Sequence, residues 1–325
     1  MPAAPEFTVI IPTRDRWPLL RTTLRSALAQ EGVELEVVVV DDGSTDETAA
    51  GLAAVGDERV RVLRHASSRG VAAARNAGVA AARGEWLAFL DDDDLWSPDK
   101  LRTQRDAAVA QGAAWAYSSA LVVDDRRSVI DRIDAPAADR LLETLLAYNP
   151  MPAGSSNVLA RAAVVRELGG HDESLFHFAG WDLWIRLAVA APAVACPEPL
   201  VAYVQHPGSM LITERRRVVA EWERIADKHR ALSAEHGVEF DRWGLVGWLA
   251  WADSRVGRRY RAAAGYLRAG IMYACRRNLW MTRRSLQAAG AALLGQALTD
   301  TGRRPAREAS AAAPAWLTDG RSDGP

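Results

Sequence analysis

Gly84-Glu85-Trp86-Leu87-Ala88-Phe89-Leu90-Asp91-Asp92-Asp93-Asp94-Leu95-Trp96-Ser97-Pro98 is the stretch that decides the fold. Its apolar run Trp86–Leu90 has no alternating polar face, so it reads as a strand buried on both sides, the kind found in parallel sheets covered by helices. Open α/β sheets place their ligand crevice at the carboxyl edge of the strands. The run therefore delivers four aspartates to the place where a ligand binds. Adjacent carboxylates repel one another steeply unless a divalent metal or another cation neutralises them. A solvated acidic loop is the alternative, yet few such loops follow so apolar a strand and continue into Leu95-Trp96-Ser97-Pro98.

Working outward, strands alternate with helices. Phe7–Ile11 is a β-branched run closed by Pro12, and Trp17–Gln30 sets Leu20, Leu24 and Leu28 on one helical face. Val37–Val40 is a second strand, the turn Asp42–Asp46 can cap a helix over Thr48–Val55, and Val60–Leu63 is a third strand. Val71–Ala82, nearly all alanine, is a helix slim enough to pack closely. After the strand Trp86–Leu90 comes a helix over Lys100–Gln111. This order predicts an α/β fold with a mostly parallel, doubly wound sheet and right-handed crossovers. Further strands are expected at Ala114–Ser119, Ser155–Ala160 and Val194–Val204, a loop over Asp124–Asp139, and a helix over Asp182–Ala190. From Arg215 to Leu298 the spacing is helical throughout, and from Arg303 there is little to bury, which predicts a disordered tail.

Composition narrows the class. With 325 residues, 49% hydrophobic and 25% charged, the chain can bury a large core. Residues 211–325 hold 20 Lys/Arg against 12 Asp/Glu, leaving 20 against 29 before them, so the two parts carry +8 and −9. An acidic front argues against nucleic acid as its ligand, and the basic rear either docks on the front or faces an anionic surface. Cys196 and Cys275 alone make no disulfide framework. With no signal pattern and no apolar stretch long enough to span a bilayer, a cytoplasmic location is expected.

Three strand ends converge on one edge: Pro12-Thr13-Arg14-Asp15-Arg16, Asp41-Asp42-Gly43-Ser44, and Asp91–Asp94. No GxGxxG follows the first strand and no GxxxxGK[ST] occurs, which weighs against dinucleotide dehydrogenases and phosphate-loop ATPases. An acid such as Asp42 can instead accept hydrogen bonds from a base imide or a ribose hydroxyl while a metal bridges diphosphate oxygens. That describes a nucleotide-diphosphate site.

The segments at residues 10–16, 38–48, 69–78, 84–101, 180–188 and 197–210, in this order, closely resemble glycosyltransferase family 2, and together they span about residues 7–210. The resemblance implies the GT-A fold and inverting transfer of a sugar from a nucleotide-diphosphate donor, UDP- or dTDP-linked, to an acceptor hydroxyl. It also implies a divalent metal, Mn2+ or Mg2+, held by a DxD-type motif. Carried over residue by residue, Pro12 and Arg14 border the base, Asp42 contacts it, Arg75 lies near the diphosphate, and Asp92 and Asp93 approach ribose and metal. Asp91 joins the metal in this carry-over. His206, in Gln205-His206-Pro207-Gly208-Ser209, joins the metal or diphosphate, or merely shapes a turn. The implied division is a GT-A domain at 1–210, with a nucleotide-binding half at about 7–120 and an acceptor half at about 121–210. A helical appendage at 211–302 and a tail at 303–325 follow.

Two departures stand out. Arg14-Asp15 replaces the Tyr-Asn of many relatives, so base stacking would use a guanidinium. Ala179-Gly180 stands where relatives commonly read Glu-Asp, the Asp being the catalytic base. Asp182 is the nearest surviving carboxylate, although it equally reads as a helix-start residue paired with Arg186 four residues on. His177 is another base candidate, and Ser155, Ser156 and Asn157 are acceptor-contact candidates. The missing base raises the alternative of a non-catalytic nucleotide-sugar binder. A nucleotidyltransferase is a third class, but its early glycine-rich, basic triphosphate loop is missing. Farther on, Trp243, Trp248, Trp251, Tyr260, Tyr266, Tyr273 and Trp280 interleave with arginines, a mixture that suits either helix packing or a peripheral contact with a membrane face.

Overall fold

A computed structural model describes residues 4–205, 215–255, 257–275, 278–294 and 313–318. His206 and the expected boundary at 210 lie outside the described residues. The strands are β1 (Phe7–Thr13), β2 (Leu35–Asp41), β3 (Val60–Arg64), β4 (Trp86–Phe89), β5 (Leu95–Trp96), β6 (Trp115–Val123), β7 (Val129–Ile133), β8 (Leu159–Arg161) and β9 (Ala193–Val204). Between and after them run α1 (Trp17–Leu28), α2 (Thr48–Ala53), α3 (Val71–Ala81), α4 (Lys100–Ala110), α5 (Leu141–Ala147), α6 (Ala162–Glu167) and α7 (Ala179–Ala190). The later helices are α8 (Arg215–Lys228), α9 (Arg230–Glu235), α10 (Arg242–Arg255), α11 (Arg259–Cys275), α12 (Leu279–Leu293) and α13 (Ala315–Thr318).

One sheet has the order β3-β2-β1-β4-β8-β6-β9-β5, with β7 on β6. The run β3-β2-β1-β4 is parallel throughout, as the alternation of buried strands and helices predicts. From β1 the chain steps outward through β2 to β3, then returns to lay β4 on the other side of β1. That reversal opens a crevice at the carboxyl ends of β1 and β4. Beyond β4 the sheet becomes mixed, with β8 antiparallel to both β4 and β6, and β5 antiparallel to β9.

Period-two geometry splits β1 between two cores. Val9 and Ile11 join Leu20, Leu24, Trp86 and Ala88 on the α1 and α4 side, while Ile10 joins Leu87, Phe89, Leu183 and Trp184 on the other. The alanines of α3 are there for closeness: a Cβ on Gly78 would stand 2.4 Å from Ile10 Cγ2.

Three segments differ from the sequence expectation. Asp124–Asp139, expected as loop, contains β7, a half-exposed strand whose Asp131 and Arg132 hide the apolar signal. Ser155–Ala160, expected as strand, begins as a 3-10 turn over Gly154–Asn157 and becomes strand only at Leu159. There Ala153 takes a left-handed φ of 51°, and Asn157 folds its amide onto Ser118 and Pro152. The tail, expected to have little to bury, includes α13, whose Leu317 is fully buried among Leu95, Leu121, Val123 and Ala202.

The expected appendage divides in two. Ile225 of α8 belongs to the core beneath α7, with Trp222, Leu232 and Phe240 packed against it. Helices α10, α11 and α12 instead build a cluster of their own around Trp251, Ala262, Tyr266 and Ala288.

Candidate active site

The loop after β1 is stapled to the loop after β2. Asp15, at a left-handed φ of 54°, accepts from the Thr45 N–H at 2.6 Å, while its own N–H donates to Ser44 Oγ at 2.9 Å. This turn leaves Arg14 pointing outward, more than half exposed and 3.5 Å from Asp15. It carries Arg16 inward instead, to the acids. Pro12, lacking an N–H, sits in the last turn of β1 opposite Val40 of β2, beyond the reach of β4, whose pairing stops at Ile10.

The four aspartates have four different environments. Asp91 accepts from Arg75 Nη2 of α3 at 2.5 Å and is a third exposed. Asp92 accepts from Thr13 Oγ1 at 2.7 Å and from Arg16 Nη1 at 3.1 Å. Asp93 accepts from the same Arg16 nitrogen at 3.0 Å. Asp94 is buried, held by the Ser156 hydroxyl and, at 3.1 Å, by the Val204 N–H. Burial, then the charge of Asp93, pushes the Asp92 carboxyl up to about 7 despite Arg16 and Thr13. Asp94 is pushed well above the usual carboxylate range by burial and by Asp93 and Asp91. Asp94 is thus a floor residue tying β9 and the turn at Ser156 to the acidic strap.

The expected base contact Asp42 is 5% exposed and has both oxygens engaged. Oδ1 meets His65 Nδ1 at 2.7 Å and the Arg69 N–H at 2.9 Å; Oδ2 accepts from Ser68 Oγ at 2.6 Å and the Gly70 N–H at 2.9 Å. Burial raises its pKa, but these donors more than offset that and hold it below the ordinary value. Asp42 therefore shapes the loop leading into α3. Beside that loop, Ser68, Arg69, Gly70, Phe176 and Arg217 border a cavity of about 240 Å³.

Arg75 is 7% exposed, and its Nε has no hydrogen-bond partner among the described residues, nor has either ring nitrogen of His171. His171 lies edge-on to Phe89 at 4.9 Å, and burial together with the charges of Arg75 and Arg186 keeps it neutral, well below its usual range. Arg75 thus faces the crevice through its ion pair with Asp91, while its Nε stays buried and unpaired.

Asp182, expected from the sequence as the catalytic base, lies inside an ion-pair network. It has no exposed surface, and it is shared among Arg186 at 2.8 Å, Lys228 at 2.8 Å and His229 Nε2 at 2.9 Å. Burial works against its charge, but the hydrogen bonds from His229 and Lys228 and the charge of Arg186 hold its carboxyl far below the usual range. Both of its oxygens are committed and it has no exposed surface, so it joins α7 to the end of α8. At position 180 a Cβ would meet Ser155 Oγ at 3.1 Å and the Trp184 indole at 3.4 Å, so the place of the absent carboxylate is already lined. His177 donates its N–H to Glu221 of α8 and stacks edge-on between Phe176 and Phe178. Ser156 and Asn157 serve as scaffold for Asp94 and Ser118.

Residues 8–167 match the family model described as Glycosyl transferase family 2. The chain is 43% identical over 159 residues to the Succinoglycan biosynthesis protein ExoO of Rhizobium meliloti, covering 49% of this chain and 44% of that protein. It is 32% identical over 149 residues to the Putative teichuronic acid biosynthesis glycosyltransferase TuaG of Bacillus subtilis, covering 44% and 59%. To the UDP-Glc:alpha-D-GlcNAc-diphosphoundecaprenol beta-1,3-glucosyltransferase WfgD of Escherichia coli it is 28% identical over 129 residues, covering 40% and 51%. The chain thus spans about half the length of these curated relatives. Among solved structures, S. aureus TarS 1-349 in complex with UDP-GlcNAc superposes with a TM-score of 0.54 at 18% identity, covering 91% of this chain and 95% of that one. The mannosyltransferase PcManGT from Pyrobaculum calidifontis, in complex with GDP-Man and Mn2+, does so with a TM-score of 0.54 at 18% identity, covering 90% and 88%. These structural likenesses are of fold, and the fold is GT-A. The switch-point crevice and its acidic strap lie within residues 8–167, the part of the chain that matches glycosyltransferase family 2.

Proposed function

We propose that the chain moves a sugar from a nucleotide-diphosphate donor, UDP- or dTDP-linked, to an acceptor hydroxyl with inversion, in the making of a cell-surface polysaccharide or a glycosylated metabolite. The observation that carries this is the convergence at the switch point of Thr13 and Arg16 on Asp92 and Asp93, with Arg75 on Asp91 alongside. In this reading Pro12 and Arg14 line the base end, and Asp42 acts through the loop it holds rather than by touching the base. Arg75 lies near the diphosphate, and Asp92 lies toward the ribose.

The acids are of the right chemical kind for a divalent cation, although in the present arrangement no three acidic, His or Cys side chains among the described residues come together as a metal-holding group. Asp91, Asp92 and Asp93 offer hard oxygen donors of the kind Mg2+ and Mn2+ take, and burial together with the neighbouring charge of Asp93 raises the Asp92 carboxyl. In the present arrangement the Arg16 guanidinium stands across Asp92 and Asp93, where a cation is wanted. When bound, the metal supplies positive charge against the departing diphosphate. Asp91 and Asp93 would hold it, with His206 as a further ligand from outside the described residues.

In-line attack by an acceptor hydroxyl also needs a group to take its proton. Gly180 supplies none and Asp182 is committed elsewhere, an observation that favours a second reading: a non-catalytic nucleotide-sugar-binding protein. Incubation with UDP- and dTDP-hexoses and Mn2+ separates the two. Steady release of nucleoside diphosphate, lost in Asp93→Ala, is the expected result. A donor that binds yet stays intact with every hydroxyl acceptor supports the binder and overturns the transferase.

A further inference from the structure

Helices α11 and α12 bury one face on the cluster they form with α10 and leave a second apolar face uncovered. On α11 the buried side is made of Ala262, Ala263, Tyr266, Ala269 and Tyr273. An outward stripe, Tyr260, Leu267 and Ile271, lies at seven- and four-residue helical spacing and is 46–67% exposed. On α12 the exposed stripe is Leu279, Leu286 and Leu293 at seven-residue spacing, flanked by Trp280 and Leu294. Along the seam between the helices, Leu286 Cδ2 lies 3.4 Å from where a Cβ on Gly270, on the buried side of α11, would stand. Eight of the twelve large apolar side chains exposed among the described residues belong to these two helices. A helix with a second apolar stripe beside its buried face calls for a second apolar medium.

Charge selects that medium. Residues 254–299 contain nine arginines and no aspartate or glutamate. Arg259 and Arg284 lie over the rings of Tyr260 and Trp280 at 4.8 and 5.1 Å, setting cations beside the apolar stripe. A second copy of this chain seated face to face would bring two such arginine sets together, because a two-fold contact places each patch on itself. An anionic bilayer instead takes both features at once, with apolar side chains in the acyl boundary and arginines among the phosphates. Neither helix spans it: α11 has 17 residues and α12 has 15, and no helix among the described residues is long and apolar enough to cross a membrane.

We infer that the outer face of α11 and α12 is a docking surface for anionic lipid, holding the protein flat on a membrane. This goes beyond the transferase reading and stands independently of it. The test is flotation of the full chain with vesicles of phosphatidylglycerol and phosphatidylcholine, or of phosphatidylcholine alone, with calorimetric binding of UDP measured on the same preparations. The wild type is expected to float with anionic vesicles only. Ile271→Glu/Trp280→Glu is expected to lose at least about tenfold in partitioning, while Val109→Glu, on exposed apolar surface of α4, keeps it. Circular dichroism confirms that each variant is folded. Absence of flotation, equal flotation of the face variant, or a dimer in light scattering that the face variant dissociates would each overturn the inference. Flotation without UDP binding would leave it standing and count only against the donor site.

Discussion

Lys100 opens α4 directly behind the acidic strap and is wholly buried, its Nζ 4.0 Å above the Trp96 ring and without a hydrogen-bond partner among the described residues. Burial pulls its pKa from 10.5 down to about 7, against a small opposing effect of Cys196. In the unfolded chain the amine is charged up to about pH 10.5, whereas in the folded protein it is neutral above about 7. Folding is therefore penalised by about 1.4 kcal/mol for each pH unit by which the solution lies below the unfolded value, until the folded amine also protonates near 7. The penalty is complete below pH 7 and vanishes above 10.5. Lys100→Met keeps the length and removes the charge, so it should stabilise the protein by about 4 kcal/mol at pH 7.5 and by only about 1.5 kcal/mol at pH 9.5. Urea unfolding followed by tryptophan fluorescence at the two pH values reads this directly. The variant's advantage must shrink as pH rises; parallel curves, or a destabilised variant, would refute a neutral buried amine beneath the site. Because Trp96 Nε1 donates to Ser156 O, and Ser156 holds Asp94, the same variant reports on the rigidity of the floor.

Two further outcomes follow from the ion pairs. Asp182→Asn should cost about 3 kcal/mol, since it removes the one carboxylate of a buried charge network, leaving Arg186 only its carbonyl acceptors Leu168 and Gly170 and Lys228 only Asp172. Nucleotide binding should survive this change. Because the folded carboxyl of Asp182 is depressed, its stabilisation is present above about pH 4 and lost as pH falls below it, so the wild type should lose stability more steeply in acid than the variant. Equal acid slopes, or abolished nucleotide binding in a folded variant, would return Asp182 to the site. Arg16→Gln removes the guanidinium from Asp92 and Asp93 and should tighten Mn2+ binding in calorimetry by about tenfold, one exchanged ion pair being worth about 1.4 kcal/mol in a partly buried setting. Weaker or unchanged binding would mean that the arginine does not compete with a cation.

The parallel half of the fold was legible because its strands are continuous apolar runs, and because three of their ends carry acids at one edge. Arg16 was missed since a left-handed turn at Asp15 decides which of two arginines faces the crevice, and nothing in Thr13-Arg14-Asp15-Arg16 signals that turn. The roles of Asp94 and Asp182 depend on partners distant along the chain: Ser156 and Val204 for one, Lys228 and His229 for the other. A four-residue local pattern, Asp182 to Arg186, was visible and correct as an ion pair, but not the burial of its carboxylate. β5 escaped because a two-residue strand takes its identity from β9 alone.

Calorimetric binding of uridine and deoxythymidine diphosphates, with and without Mn2+, to the wild type and to Asp93→Ala tests the central claim most directly. The account predicts metal-dependent binding of at least one nucleotide, lost in a folded Asp93→Ala. Binding of neither nucleotide under any condition, or binding indifferent to both Mn2+ and Asp93, would contradict a donor site at the acidic strap.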